Sequence, residues 1–252
     1  MIEVFILSII QGITEFLPIS SSSHLILASD YLSFENQSLS IDISLHIGTF
    51  IAVIVYFGKD ILNYAKNKLL FLKIIISSFP IMLFGYLLIK YALIDQLRSI
   101  KIIGWTTIIF GILLYISDKF KTDKLLDKNF SFKSAIFIGI LQVLSLIPGV
   151  SRSGITITAS RILNFNRFDS AKISFLLSIP TLGAVTIFGI NNLFQTEDIN
   201  FSLLNLISII LSFIFSFVTI KFFLQYIQKF SLNIFVLYRV VLGIILLIVA
   251  YL

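Results

Sequence analysis

The sequence predicts an all-α integral membrane protein made of two inverted-topology repeats, each a re-entrant helical hairpin followed by three transmembrane helices. Three observations carry this expectation. The 252-residue chain is 58% apolar with a mean hydropathy of +1.02, far above a soluble domain. Six apolar segments approach or reach the roughly 20 residues that cross a bilayer. Four further apolar segments are shorter or interrupted, and they come in two pairs, one pair in each half of the chain.

The six spans are placed at 43–58, 74–94, 100–117, 172–192, 202–224 and 234–252. The first is short and needs snorkelling flanks or local thinning of the bilayer. The short segments fall at 2–17, 21–32, 134–147 and 152–163. The first pair is broken by Pro18 and Ser20 to Ser23, the second by Pro148, Gly149, Ser151 and Ser153. Irregular backbone at membrane depth is tolerated where protein buries it or where it lines a cavity, so each pair reads as a hairpin that enters and leaves on one side. Both halves run hairpin plus three spans: about 1–117, then about 134–252, with a linker at 118–133. Similarity continues past the hairpins, where Ser44-Leu45-His46-Ile47-Gly48-Thr49 parallels Leu177-Ser178-Ile179-Pro180-Thr181-Leu182-Gly183. An odd number of spans per repeat inverts the second repeat, and the site is then expected near the midplane where the broken segments meet.

Charge sets the orientation. The stretch before Lys59 holds Glu3, Glu15, Asp30, Glu35 and Asp42 and no basic residue, and the turn at 193–200 holds Glu197 and Asp198. With the N-terminus outside, the inner segments collect Lys59, Lys66, Lys68 and Lys73, then Lys119, Lys121, Lys124, Lys128 and Lys133, then Arg161, Arg167 and Lys172, then Lys221 and Lys229. This follows the positive-inside rule and puts both termini outside. The formal net charge of +6 is the cytoplasmic Lys excess of a membrane protein. Its Lys are divided among short loops and form no stripe, so no nucleic-acid partner is expected. The chain has no Cys, which excludes disulfides, thiolate catalysis and Cys-based zinc sites. Glu3 and the lack of a basic n-region argue against a signal peptide.

The polar turns carry the chemistry. A turn that opens a helix offers free N–H groups and the positive end of the helix dipole, a setting suited to phosphate. Ser20, Ser21 and Ser22 stand at the opening of the 21–32 helix, and Gly149, Ser151, Ser153 and Gly154 at the opening of the 152–163 helix. Ser and Gly by themselves equally suit close helix packing. Arg152 does not fit that packing account, and Arg is the residue type for forked phosphate contacts. Two such turns with Arg152 between them suit a diphosphate, and Gly149 and Gly154 let backbone approach a ligand. Gln11 and Glu15 share a helix face; so do Ser21 and His24, a hydroxyl beside an imidazole. Glu15 can orient the His, exchange a proton or hold a divalent ion. His46 reads as a packing residue at the start of a span. Arg239 reads as snorkelling to the inner interface.

Two function classes compete. One is an enzyme on a phosphorylated lipid; the other is a transporter or flippase for a polyprenyl-phosphate lipid, since inverted repeats with broken helices also suit alternating access. The hydroxyl, imidazole, carboxylate and guanidinium set favours the enzyme. The vanadium-type acid phosphatases need a His after the Ser-Arg element, but His24 and His46 both precede Ser151-Arg152, which rejects that class.

The motif Gln11-x-x-x-Glu15-Phe16-Leu17-Pro18-x-Ser20-Ser21-x-x-His24, with Pro148-Gly149-x-Ser151-Arg152-Ser153-Gly154-x-Thr156, resembles the paired signatures of the undecaprenyl-diphosphate phosphatase, or bacitracin resistance protein, family. Asp42 to Thr49, Phe175 to Pro180 and Ile227 to Arg239 also look like family segments, so the resemblance covers nearly the whole chain. It implies a multi-pass hydrolase of the bacterial plasma membrane, with its site open to the outer face, that converts undecaprenyl diphosphate to undecaprenyl phosphate and inorganic phosphate. That reaction recycles the carrier lipid for peptidoglycan and counters bacitracin. The resemblance further implies a divalent cation (Mg²⁺, with Ca²⁺ as the alternative), a polyprenyl diphosphate lipid as substrate among membrane lipids, and a homodimer. It carries Glu15, Ser21, His24 and Arg152 over as catalytic. Ser151, Ser153 and Thr156 are supporting contacts, and Gln11, Ser20, Ser22, Gly149 and Gly154 belong to the same substrate-binding set. Gln11 stands where many members have Glu, so Glu15 is left as the anionic metal ligand.

Overall fold

The computed structural model describes residues 1–32, 38–66, 68–91, 93, 95–195 and 202–252. Glu35, Glu197 and Asp198, which bear on the expected orientation, lie outside the described residues. Twelve helices are described: α1 (Ile2–Thr14), α2 (Ser21–Leu32), α3 (Leu39–Tyr56), α4 (Gly58–Lys66), α5 (Lys68–Lys90), α6 (Ile100–Asp118), α7 (Leu126–Asn129), α8 (Phe132–Gln142), α9 (Arg152–Ile162), α10 (Arg167–Gln195), α11 (Leu203–Lys229) and α12 (Asn233–Tyr251). Among the described residues there is no strand, only an isolated bridge between Lys124 and Phe165.

Helices α3, α5, α6, α10, α11 and α12 are long and apolar enough to cross a membrane, so the six spans stand where hydropathy placed them. Their ends differ from expectation in consistent ways. Helix α10 starts at Arg167 rather than 172 because Asn166 caps it: its Oδ1 accepts from Asp169 N at 2.8 Å. Helix α11 runs five residues past 224, to Lys229. Residues 58–66 form a separate helix, α4, with Lys172 Nζ bonded to Asp60 Oδ1 at 2.8 Å. Outward faces of the spans are apolar, with Phe71, Phe79, Trp105, Ile112, Phe222 and Ile248 exposed. The largest buried cluster joins Phe16, Phe57, Phe130, Phe165, Phe175 and Phe223 across both halves of the chain.

Packing repeats when the halves are exchanged. Helix α1 packs on α11 as α8 packs on α5; α3 pairs with α10 and α6 with α12. Apart from the short α4 between α3 and α5, the helix order also repeats: two short helices then three long ones in each half.

One end of the bundle is locked around Asp118, the last residue of α6. Arg167 grips it with Nε at 2.7 Å and Nη2 at 2.8 Å, and Leu232 N donates to it. Arg161, counted among the basic residues of the inner segments, is fully buried beside it. Its guanidinium donates to the carbonyls of Asp118, Phe120, Lys121 and Phe165. These loop carbonyls have no helical partner, and a buried one must find another donor. The ends of α6 and α9 and the starts of α10 and α12 therefore meet here. Helix α9 rises only about 16 Å from this end at 1.5 Å per residue, so its first residue stands partway along α6.

Candidate active site

The two Pro–Ser turns meet inside the bundle. Leu17 O accepts from Ser153 Oγ at 2.7 Å, which ties the first turn to the second. Ser20 and Ser151 each stand immediately before a short helix, and both have positive φ, 78° and 69°. A left-handed non-glycine residue costs about 1–2 kcal/mol, so two at corresponding places mark backbone held in place by its surroundings. Ser151 Oγ accepts from Gly154 N at 3.1 Å and caps α9. Ser20 Oγ bonds the hydroxyls of Ser22 and Ser23.

Glu15 and Arg152 form the centre. Arg152 Nη2 lies 2.9 Å from Glu15 Oε1, with both side chains almost buried. Ser21 Oγ donates to Glu15 Oε2 at 2.8 Å, and Gln11 Nε2 donates to the same oxygen at 3.3 Å. Arg152 Nη1 is steadied by Ser174 O at 3.1 Å. Ser174 Oγ in turn accepts from Thr156 Oγ1 at 2.7 Å. The expected set of Gln11, Glu15, Ser21, Ser151, Arg152, Ser153 and Thr156 is thus connected through hydrogen bonds across both turns.

The expected Ser21–His24 pairing is not made. His24 Nδ1 donates to Ser20 O at 2.6 Å, and Nε2 accepts from Tyr238 Oη at 2.5 Å, with the two rings nearly parallel. The carbonyl accepts only, which sets the tautomer with the proton on Nδ1. The side chain of Ser21 lies against the carboxylate instead, because the left-handed Ser20 turns the chain before α2 begins.

Three residues join the site that sequence reading left aside. His46 Nδ1 accepts from Gln11 Nε2 at 3.2 Å, so His46 belongs to the polar network rather than to span packing alone. Tyr238 holds His24. Arg239 does not snorkel: it is fully buried and donates to Thr107 O, Pro18 O, Gly149 O and Val150 O at 2.8–3.4 Å. Its guanidinium clamps both turns at once. The two proline carbonyls are capped in matching fashion. Thr106, seventh residue of α6, donates to Pro148 O at 2.6 Å; Arg239, seventh residue of α12, donates to Pro18 O. The adjacent Tyr238-Arg239 was the available signal.

The glycines approach protein, not open space. A Cβ on Gly149, which has φ +92°, would stand 2.0 Å from Thr106 Oγ1, and one on Gly154 would stand 2.8 Å from Arg239 Nη1. Both make room for the clamp.

For a divalent ion, the donors at Glu15 are hard oxygens: its carboxylate, the Ser21 hydroxyl and the Gln11 carboxamide. Gln11 Oε1 is buried without a hydrogen-bond partner. This set suits Mg²⁺ or Ca²⁺. Among the described residues no three His, Asp or Glu side chains cluster, so a bound ion would draw further ligands from phosphate oxygens.

A family model described as bacitracin resistance protein BacA matches residues 4–245. The undecaprenyl-diphosphatase of Pelagibacter ubique (strain HTCC1062) is 51% identical over 252 residues, covering 99% of this chain and 98% of that protein. The undecaprenyl-diphosphatase of Jannaschia sp. (strain CCS1) is 40% identical, covering 98% of this chain and 97% of that one. That of Saccharophagus degradans (strain 2-40 / ATCC 43961 / DSM 17024) is 40% identical over 94% of this chain and 93% of the relative.

Proposed function

The chain belongs to the bacitracin resistance protein BacA family, and from that membership we infer that it is a membrane phosphatase that hydrolyses undecaprenyl diphosphate to undecaprenyl phosphate and inorganic phosphate. The observation that carries the reading at this chain's own residues is the Ser21–Glu15–Arg152 chain of contacts across the two turns. It sets a hydroxyl, a proton acceptor and a phosphate-binding cation side by side.

Ser21 Oγ attacks the terminal phosphorus, and its proton passes to Glu15 Oε2, the atom it already faces. The bond from that phosphorus to the bridging oxygen breaks, and the lipid monophosphate leaves. Water then hydrolyses the phosphoserine and releases phosphate, with the proton returning to Ser21. Arg152 and the N–H groups at the starts of α2 and α9 hold the charge that spreads over the equatorial oxygens. His24, held through Nδ1 by Ser20 O, presents Nε2 as a proton carrier once Tyr238 yields it. Glu15, Ser21 and Gln11 would hold a divalent ion, which supplies charge neutralisation to the diphosphate when bound.

The remaining features of the reading are proposals of the same standing. The paired short helices are re-entrant hairpins of two inverted repeats, supported by the mid-length position of the second turn on α6 and by the exchangeable packing pairs. Both termini and the site opening face outward, supported by the distribution of Lys and Arg. The assembly is a homodimer, as the family resemblance implies.

The test is phosphate release from a prenyl diphosphate by the purified protein in detergent, with Mg²⁺ or Ca²⁺ added. Release that is lost in Arg152→Ala supports the hydrolase. No release by the wild type with any divalent ion overturns it and favours carriage of the lipid. A phosphorylated protein seen in wild type and absent from Ser21→Ala supports Ser21 as nucleophile; near-normal turnover by Ser21→Ala assigns the attack to water.

A further inference from the structure

Gln11 and Gln142 stand at corresponding places, each on the short helix that leads into a Pro–Ser turn, and the protein treats them differently. Both are fully buried. Neither amide atom of Gln142 has a hydrogen-bond partner. Ser178 and Thr181, in the segment that parallels residues 44–49, bond carbonyls of their own helix instead. Gln11 has a partner for each hydrogen of its amide nitrogen: Nε2 lies 3.3 Å from Glu15 Oε2 and 3.2 Å from His46 Nδ1. As a carboxylate Glu15 only accepts, so the amide atom beside it is the nitrogen. His46 Nδ1 lies beside that same nitrogen, so it accepts too, and the imidazole proton is on Nε2. Gln11 Oε1 is left over, buried and without a partner. His46 is itself held firmly. Ser212 Oγ of α11 donates to Leu45 O at 2.6 Å, and Thr49 Oγ1 donates to His46 O at 2.8 Å. Gly48 lets α11 come against this turn of α3, since a Cβ there would strike Ile209 O and Phe213 N. The second half of the chain, through α11, thereby fixes the imidazole against the amide beside Glu15.

We propose that His46 is a positioning residue: it holds the Gln11 carboxamide so that Oε1 is presented, unpaired, as a neutral oxygen ligand for a divalent cation beside Glu15. The proposal rests on the phosphatase reading above. A buried carbonyl oxygen without a partner is unfavourable. It accepts only, so what completes it is a cation or a donor. Its neighbours are the Glu15 carboxylate and the Ser21 hydroxyl bonded to that carboxylate, oxygens of the kind that Mg²⁺ and Ca²⁺ take. Without His46 the amide keeps one long bond of 3.3 Å to Glu15 and can turn about its last torsion, whose preference is broad. Its oxygen is then presented only part of the time. In this role His46 acts through Gln11, which separates it from Glu15, Ser21, His24 and Arg152. It also makes the two halves unequal, because Gln142 has no such holder.

The experiment titrates Mn²⁺, followed by its EPR signal, into the purified protein in detergent with a non-hydrolysable prenyl methylenediphosphonate present. His46→Leu should weaken Mn²⁺ binding about three- to tenfold, as for the loss of one hydrogen bond. His46→Asn should restore most of it, because its Oδ1 stands where the imidazole Nδ1 does. Phosphate release by His46→Leu should show the same rise in the Mg²⁺ concentration that gives half the maximal rate, with most of the loss recovered at saturating Mg²⁺. Because the effect passes through Gln11, adding His46→Leu to Gln11→Ala should weaken Mn²⁺ no further. Equal losses in His46→Leu and His46→Asn, a further loss in the double variant, unchanged Mn²⁺ affinity in His46→Leu, or no Mn²⁺ binding by the wild type overturns the proposal and leaves the phosphatase reading intact. Absence of phosphate release by the wild type overturns both. Should His46→Leu fail to fold, the two histidines of the chain are labelled with ¹⁵N in the wild type. The hydrogen bonds set them in opposite tautomers, His24 with its proton on Nδ1 and His46 with its proton on Nε2, and Gln11→Ala should move the His46 signals alone. Finding both histidines in the same tautomer overturns the proposal.

Discussion

Arg152 and Arg239 are both arginines in apolar surroundings, and their partners separate their roles. Arg152 bonds a carboxylate that can release it, Glu15. Arg239 bonds four backbone carbonyls that have no other use for it. Arg152→Ala should lower kcat on a prenyl diphosphate by about 10²–10³, as for loss of one strong transition-state donor, a loss out of proportion to the fall in melting temperature that an unpaired, nearly buried Glu15 brings. Arg239→Lys should reverse that balance. One ammonium cannot span Thr107, Pro18, Gly149 and Val150, and each buried carbonyl left unpaired costs about 1–3 kcal/mol. The variant should melt markedly lower in detergent and lose activity in proportion to the displaced turns. A melting temperature equal to wild type would exclude the clamp. The Ser21 contact makes a third prediction at this scale. Because Ser21 faces Glu15 rather than His24, Glu15→Gln should abolish formation of the phosphorylated protein. His24→Ala should permit it and slow its breakdown, which a rapid-quench time course with labelled substrate reads directly.

At the scale of the element, the two turns are held in backbone shapes that their own residues disfavour. Ser20 and Ser151 have positive φ without glycine's freedom. The neighbours that hold them come from the last span of the opposite half: Thr106 of α6 on Pro148 O and Arg239 of α12 on Pro18 O. Gly149 cannot accommodate a side chain in place, since a Cβ would stand 2.0 Å from Thr106 Oγ1 at a φ of +92°. Gly149→Ala therefore costs at least the roughly 1–2 kcal/mol of a left-handed residue and pushes the turn off α6. Phosphate release should fall, and restoring space with Thr106→Gly should return part of it; no recovery in the double variant would argue against that contact as the cause. The turns were legible in the sequence as breaks in hydropathy at Pro18 and Pro148. Their φ values were not, because Ser is a residue that usually avoids that region.

At the scale of the whole molecule, the end around Asp118 ties α6 directly to α9, α10 and the start of α12. Asp118 meets Arg161 and Arg167 with its carboxylate nearly inaccessible. Asp118→Ala leaves Arg161 buried without its countercharge, a change that typically costs about 3–5 kcal/mol, so the melting temperature in detergent should fall by roughly 6 °C or more. The role of Arg161 in this lock was not legible in the sequence: there it is one basic residue among many, and only the fold brings four carbonyls and a carboxylate around it. What the sequence determined by itself was the solvent and the outline. Hydropathy and span length require six crossing helices, and the two Pro–Ser motifs name Gln11, Glu15, Ser21, His24 and Arg152, because those properties depend on local composition and spacing. What the tertiary structure decided was pairing. That Ser21 faces Glu15, that His24 faces Tyr238, that His46 reaches Gln11 and that Arg239 holds both turns depends on where helices far apart in the chain come to lie against each other. Burial makes those pairings obligatory: a polar group shut away from water must take whatever partner the packing brings to it.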